Sequence, residues 1–283
     1  MARWTIDKPL THTLDGIVAL RVRIIGGHVN ILPTDDPVTF EISDITGGPV
    51  LATQEAGILT ITYEDLTGQG LLDRLKPIQL NGYKGMGGRK ATVNLRLPAG
   101  CPVEVNTVSA AVVAAGLRAR TFLRTASGEI TLDDASGTTE ISTATGQTSL
   151  RNPSGTLSFS SVNGPLAVAG GRLSGFDAKS ASGQILADTD LAPSGRVRLN
   201  TVSGEIALRV PAETSAAVEM HSVTGKLDSD FSLERREAPA RKALSGKIGP
   251  GVDPATISTR TMSGRTALLR RAPEAPAAIP EGA

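Results

Sequence analysis

A short unit recurs through the middle and the end of this chain: small hydroxyl residues, a glycine, then alternating apolar positions. RTASGEITL at 124–132 and NTVSGEIAL at 200–208 are two of its copies. A unit this short cannot bury an apolar face by itself, so neighbouring copies must stack to form a core. Successive copies lie 18 to 21 residues apart, with a final interval of 39. The anchor glycines are Gly128, Gly146, Gly164, Gly183, Gly204, Gly225 and Gly264, and Ala110 takes this place in an earlier copy.

Apolar residues recur at fixed distances from each anchor. The positions five before, two before, two after and four after it are mainly apolar and alternate with polar ones. A period of two is typical of strands with one buried face. We therefore expect these columns to face the core, with the column two before the anchor filling the corner. That column is Val108, Ala126, Ala144, Val162, Ala181, Val202, Val223 and Met262.

Two polar columns are equally regular. Ser or Thr stands three residues before every anchor, and Ser, Thr or Asn stands one before it. Small hydrogen-bonding residues next to glycine suit a sharp bend, because glycine reaches backbone angles closed to other residues and hydroxyls satisfy freed backbone groups. A hydroxyl face that binds a glycan or ice is the alternative, but corner hydrogen bonding explains the columns better.

A second set of turn motifs lies between the anchors, for example DASG at 134–137 and NPSG at 152–155. Each period thus reads strand, glycine bend, strand, turn. We predict an all-β, single-stranded β-solenoid with coils of 18–21 residues, which we expect to be right-handed. A β-sandwich is the competing architecture. Identical side-chain classes in each column favour stacking, since each column then becomes a ladder.

The repeat also suggests domain boundaries. We assign residues 1–14 to an N-terminal segment, 15–270 to the repeat domain and 271–283 to a disordered tail. Within the domain, we interpret residues 18–62 as divergent coils that cap the stack, because terminal repeats usually have this role. Two insertions break the pattern at 64–90 and 232–254, and the first includes a possible short helix around 71–75.

Bulk properties exclude several classes of protein. With 29 Lys plus Arg against 28 Asp plus Glu, net charge predicts no global attraction to nucleic acid or to an anionic membrane. The single cysteine, Cys101, rules out an intrachain disulfide framework. The chain shows neither a secretory signal nor an apolar run that could span a bilayer, so we expect a cytoplasmic location.

The strands beginning with GGHVNIL, followed by units such as those at 125–132, 180–187 and 201–208, resemble the bacterial "putative adhesin" family. This is a domain of unknown function built of β-strand repeats, and the resemblance covers most of residues 15–270. It implies a β-solenoid without established catalytic residues.

One local segment is a candidate interaction loop. GYKGMGGRK at 82–90 is rich in glycine and carries Lys84, Arg89 and Lys90, which suits an anion. It lacks the closing residues of a P-loop and the following helix of a dinucleotide-binding fingerprint. A solvated loop is the competing interpretation.

Other chemistry-bearing residues are dispersed. His12, His28 and His221 lack partners at metal or acid–base spacing, and DTD at 188–190 and DSD at 228–230 lack the full ligand set of a calcium loop. We therefore predict no catalytic residue, metal or cofactor.

The preferred function is a non-enzymatic scaffold or binding protein with a protein or glycan partner. A bactofilin-like polymerising protein and a carbohydrate-binding or carbohydrate-active β-helix protein are the alternatives.

Overall fold

The computed structural model describes residues 2–64, 88–238 and 241–272, and the protein is all-β in these ranges. No helix within them has the length and apolar character needed to cross a bilayer. The possible helix around 71–75 and most of the 64–90 insertion lie outside the described residues.

The first third of the chain contributes eight strands: β1 (Ala2–Ile6), β2 (Leu10–Leu14), β3 (Ala19–Ile24), β4 (Gly26–Pro33), β5 (Val38–Thr46), β6 (Val50–Glu55), β7 (Ile58–Tyr63) and β8 (Lys90–Leu97). The repeat region contributes β9 (Val103–Thr107), β10 (Ala111–Ala115), β11 (Thr121–Thr125), β12 (Ile130–Asp133), β13 (Thr138–Thr143), β14 (Thr148–Arg151), β15 (Ser154–Ser161), β16 (Leu166–Ser180), β17 (Ile185–Thr201), β18 (Ile206–Pro211), β19 (Ala216–Ser222), β20 (Leu227–Ser229), β21 (Glu234–Ala238), β22 (Arg241–Ile248), β23 (Ala255–Thr261) and β24 (Thr266–Arg271).

The strands form two rows that meet at the glycine corner. The first row holds the strand before each anchor, in the spatial order β1, β6, β7, β3, β9, β11, β13, β15, β16, β17, β23, β19, β22, β21. The second row holds the strand after it, in the order β2, β5, β8, β4, β10, β12, β14, β16, β17, β18, β24, β20. Parallel pairing runs through the repeat in both rows, as stacked coils require. The long strands β16 and β17 continue from the second row into the first and join the rows into one sheet.

The core lies between the two rows. The column five before the anchor is buried, including Leu123, Ile141 and Leu199, and so is the column two after it, including Ile130 and Ile206. In this respect the predicted alternation is confirmed. Because each column continues from coil to coil at the strand spacing of about 4.8 Å, the same side-chain class packs on itself along the stack.

The anchor glycines are required for a reason other than the predicted backbone angle. None of the seven has a positive φ. Instead, a Cβ on Gly183 would overlap the carbonyl oxygen of Gly164, and a Cβ on Gly164 would overlap that of Gly146. Each anchor thus sits directly on the backbone of its neighbour in the stack, where any side chain would force the coils apart.

The expectation for the column two before the anchor is wrong from Val162 onward. Val162, Val202, Val223 and Met262 are exposed by 53%, 50%, 43% and 56%. The bend rotates this position outward, because the hydroxyl three before the anchor and the glycine itself fill the inside of the corner.

The order of the coils departs from the order of the chain. The last coil, β23–β24, lies between the coil formed by the end of β17 with β18 and the coil formed by β19 and β20. A Cβ on Gly264 would accordingly overlap the backbone of Gly204, and one on Gly225 that of Gly264. The interval of 39 residues therefore reflects a return of the chain into the stack.

Antiparallel strands cover most of both ends. In the first row β6 and β1 follow β7, and in the second row β5 and β2 follow β8. At the other end, the segment 232–254 contains the hairpin β21–β22, which pairs antiparallel with β19. The rings of Trp4, His12 and Phe40 pack together at the N-terminal end, with centroids 4.8 to 6.1 Å apart.

Candidate functional site

The hydroxyl columns take part in the corner hydrogen bonds. Thr125 Oγ1, Thr143 Oγ1 and Ser180 Oγ each accept a hydrogen bond of 2.8 Å from the N–H of the anchor glycine three residues later. Ser127 Oγ donates to the Val108 carbonyl of the neighbouring coil at 3.3 Å. Three of these hydroxyls therefore close the bend of their own coil and the fourth connects neighbouring coils, so none of the four is a free ligand-binding group.

The candidate interaction loop is described only in part. Lys84 lies outside the described residues. Arg89 holds its guanidinium 5.3 Å from the centroid of the Tyr63 ring, and Lys90 begins β8 with an exposed side chain. An anion site at this loop stays a prediction.

The three histidines of the chain lie far apart in the fold. His12 contacts Trp4 in the N-terminal end, His28 is exposed on β4, and His221 Nε2 lies 3.9 Å from Glu219 on β19. The described part of the chain contains no group of three His, Cys, Asp or Glu residues placed to hold a metal ion. Burial raises the pKa of the Cys101 thiol, which therefore stays protonated at neutral pH.

A groove of about 420 Å³ lies on the outer face of the second row. It crosses β14, β16, β17 and β18 and reaches β24. Its floor consists of short apolar side chains placed side by side by the strand register: Ala167, Ala169 and Ala207, with the larger Leu186 between them. The groove exists because these alanines lie between longer side chains on neighbouring strands.

Charged residues line the groove. At one end Arg151, exposed on β14, makes no ion pair within the described ranges. At the other end Asp188 Oδ2 accepts a 2.9 Å hydrogen bond from Arg209 Nε, and Asp188 Oδ1 accepts one of 2.7 Å from Arg271 Nε. Arg271 Nη1 also donates to Asp190 Oδ1 at 2.8 Å.

This cluster sets the charge state of Asp188. Partial burial by itself would raise the pKa of Asp188, but the hydrogen bonds and positive charges of Arg209 and Arg271 outweigh it and the pKa is lowered. Asp188 and Asp190 are the two aspartates of the DTD motif, which would also suit a calcium loop. Their oxygens instead bind arginines, so the cluster fixes β24 to β17 and gives the groove a wall with a defined charge.

Sequence reasoning missed the groove. The signal lies in the column three after the anchor, which contains Ser149, Ala167, Leu186 and Ala207. These residues alternate with the core positions and face outward. The small size of three of them therefore has no effect on core packing and is not noticed in a search for the core. Only the register between coils shows that they adjoin one another.

Comparison with known proteins places the repeat in a family. A family model described as Toastrack DUF4097 matches residues 28–268. None of the curated proteins matches the chain.

Several solved structures align with most of the chain. A "putative adhesin" from Bacteroides fragilis is 9% identical, with 93% of this chain and 98% of that chain covered and a TM-score of 0.35. A "putative lipid binding protein" from Parabacteroides distasonis is 10% identical, with 94% and 98% covered and a TM-score of 0.32. A "putative adhesin" from Parabacteroides merdae is 11% identical, with 94% and 97% covered and a TM-score of 0.27. All three TM-scores are low, and the fold is defined by the strand pairing within this chain.

Proposed function

Because the chain belongs to the Toastrack DUF4097 family, a β-strand-repeat domain of unknown function, we propose that it is a non-enzymatic binding scaffold. In this proposal it is a single-stranded, right-handed β-solenoid that acts in the cytoplasm. Its binding site is the groove across β14, β16, β17 and β18, and its partner is an extended protein segment.

The groove is the observation that carries this proposal. Its floor is made of side chains on adjacent strands whose backbones are hydrogen-bonded to one another, so its shape is fixed before a partner arrives. A preformed site avoids the entropy cost of ordering its own side chains on binding, and alanine has no rotamers to lose.

The lining also indicates the chemistry of the partner. Short apolar side chains at Ala167, Ala169 and Ala207 accept aliphatic side chains, and Arg151 offers five N–H donors to a carboxylate. At the opposite wall the arginines are already paired with Asp188. We therefore propose a segment with aliphatic residues and an acidic residue near the Arg151 end.

A peptide array of aliphatic and acidic sequences, followed by fluorescence anisotropy on the hits, tests this function. Ala167→Trp fills the groove and should abolish binding, and Arg151→Ala should weaken it by about ten-fold or more, since a charged hydrogen bond contributes roughly 1.5–3 kcal/mol. Arg124→Ala is the matched control, because Arg124 lies over Phe122 on the outer face of the first row.

A glycan array with a turnover assay separates the alternatives. Glycan binding lost in Ala167→Trp would replace the peptide with a carbohydrate at the same groove. Turnover of any glycan would overturn the non-enzymatic proposal.

A further inference from the structure

The exposed corner column forms a continuous apolar edge on the molecule. Its residues follow one another on consecutive coils, and we refer to them as the corner ridge: Val162, Ala181, Val202, Met262 and Val223. Each member lies directly on the next, because its carbonyl accepts a backbone hydrogen bond of 2.8 to 3.0 Å from the following coil. At a strand spacing of about 4.8 Å, the ridge extends for about 19 Å.

Core packing does not require apolar residues at the ridge positions. The inside of each corner is filled by a hydroxyl and a glycine, and polar residues would suit the outward position equally well. Four branched or long aliphatic side chains are nevertheless exposed by between 43% and 56% along one line. A contiguous exposed apolar feature of this kind marks an interaction surface.

Basic residues flank the ridge on both sides. The adjoining columns, four before and one after the anchor, contain five charged residues over these coils: Lys179, Arg260, Lys226, Arg265 and, as the one acidic member, Glu205. Lys179 Nζ lies 3.3 Å from Asp177, and Lys226 Nζ and Arg265 Nε lie 3.4 and 3.0 Å from a single carboxylate, that of Asp228. The cations along this edge therefore still outnumber the carboxylates, and Arg260 makes no ion pair within the described ranges. Glu205 already accepts a hydrogen bond from Gln184 at 3.1 Å. Lys242 adds a further ammonium group at the end of the ridge, 3.3 Å from the Gly225 carbonyl oxygen.

The shape and charge of the ridge select among partners. It is a convex edge one side chain wide, so a second copy packed against it would bury little area compared with the roughly 800 Å² per partner of a stable interface. Ridge-on-ridge packing would also bring the flanking cations of two copies together. A bilayer surface accommodates a convex edge, with aliphatic side chains at the boundary of headgroups and acyl chains and cations on lipid phosphates.

We propose that the corner ridge docks the molecule edge-on onto an anionic membrane surface. The aliphatic side chains of the ridge insert, and lipid phosphates are contacted by Arg260 and by Lys226 and Arg265, which share one carboxylate between them. This interaction goes beyond the binding of a protein segment and does not depend on the groove. It also needs no net positive charge on the whole chain, because cations outnumber carboxylates along this edge.

Co-sedimentation with vesicles tests the proposal. We expect the full chain to bind vesicles of equal parts phosphatidylcholine and phosphatidylglycerol, to bind pure phosphatidylcholine vesicles at least ten-fold more weakly, and to be released by salt. The double variant Val202→Asp/Met262→Asp should lose at least ten-fold in binding, and Arg260→Gln about five-fold.

Two controls make the result specific. Val113→Asp/Val252→Asp introduces the same charges at other exposed sites, Val113 at 44% and Val252 at 95%, and should bind like the wild type. Ala167→Trp, which fills the groove, should also bind vesicles normally, so failure of the groove proposal would leave this one intact. All variants should unfold within a few degrees of the wild type, because every altered ridge residue is exposed.

Three results would overturn the proposal. They are equal binding to neutral and anionic vesicles, unchanged binding by Val202→Asp/Met262→Asp, and a wild-type dimer in analytical ultracentrifugation that this double variant abolishes. The last would assign the ridge to contact with a second copy.

Discussion

Single residues at the corners determine how closely the coils stack. The N–H of each anchor glycine between Gly128 and Gly204, except Gly164, donates to the hydroxyl three residues earlier. The α-carbon of each of these glycines faces the backbone of the coil below. Hydroxyl and glycine therefore act together, and the volume available at the anchor is that of a hydrogen atom.

Replacing Gly183 with alanine tests this packing. The added methyl group would overlap the Gly164 carbonyl oxygen, so we expect a loss of about 1–3 kcal/mol in the free energy of unfolding. Gly100→Ala is the matched control, because a Cβ at Gly100 meets no atom within 4 Å and its φ is not positive. Urea denaturation of the two variants makes the comparison. Equal midpoints would show that corner packing does not limit the anchor position.

A second residue-scale prediction concerns acid. The folded state lowers the pKa of Asp188, so its ionised form favours folding. This contribution is complete above the ordinary aspartate pKa of about 3.9 and is lost as the pH falls from there through the lowered value. We expect Asp188→Asn to unfold more easily than the wild type at pH 7, by up to about 1 kcal/mol, and the difference to shrink as the pH falls below about 4.

Thermal unfolding at a series of pH values measures this difference. Asp36→Asn, at an exposed loop position, is the control for the substitution itself and should unfold like the wild type at pH 7. A gap between Asp188→Asn and the wild type that did not shrink as the pH was lowered from about 4 would contradict the role assigned to Arg209 and Arg271.

Among the elements, the hairpin β21–β22 has a protective position. Without it, β19 would present an unpaired edge over seven residues to other chains. Leu244 on β22 is buried against the core, whereas Lys247 on the same strand is exposed. The hairpin is thus fixed by its inward side chains as well as by backbone pairing.

We expect Leu244→Asp to release the hairpin, because a carboxylate at this buried position has no partner. Limited proteolysis should then cleave within 232–254, and size-exclusion chromatography should show oligomers that pair through the β19 edge. Lys247→Asp places the same charge on the outer side of the strand and should remain monomeric and resistant. If both variants behaved alike, the hairpin would not be protecting that edge.

Strands were more predictable from sequence than their surroundings. Alternation around each anchor identified the buried faces at residues such as Ile141 and Ile206, because core burial acts directly on side-chain type. It failed at Val202 and Met262, because an apolar residue beside a bend carries no information about which way the bend turns it. The groove could not be predicted for a related reason, since only the register between coils places Ala167 and Ala207 on either side of Leu186.

For the whole molecule, local charge matters more than the total. The chain carries a formal net charge of +1, from which no membrane attraction was expected. Stacking nevertheless brings Lys179, Arg260, Lys226 and Arg265 to one edge, where the carboxylates paired with them are only those of Asp177 and Asp228. The periodicity of the sequence predicts the columns. Which residues of one column adjoin across the last three coils depends on the order in which those coils stack.

That order is a property of the whole chain. In a stack that followed the sequence, removing the last coil would expose one interface. Here the last coil, β23–β24, lies inside the stack. Its removal therefore takes from β19 its parallel partner β23 and from β20 its parallel partner β24. It also removes Arg271, which ties β24 to Asp188 and Asp190 on β17.

Truncation after residue 254 tests this arrangement by hydrogen exchange. We expect residues 216–229 to lose protection, because only the antiparallel hairpin would still pair with β19. Coils between 103 and 188 should keep theirs, since each contacts only its neighbours. A chain ending at residue 211 is the control and should show the same protection over 103–188. Full protection of 216–229 in the longer truncation would mean that this coil docks directly on the end of β17 and on β18, and that the inserted last coil is not required for stacking.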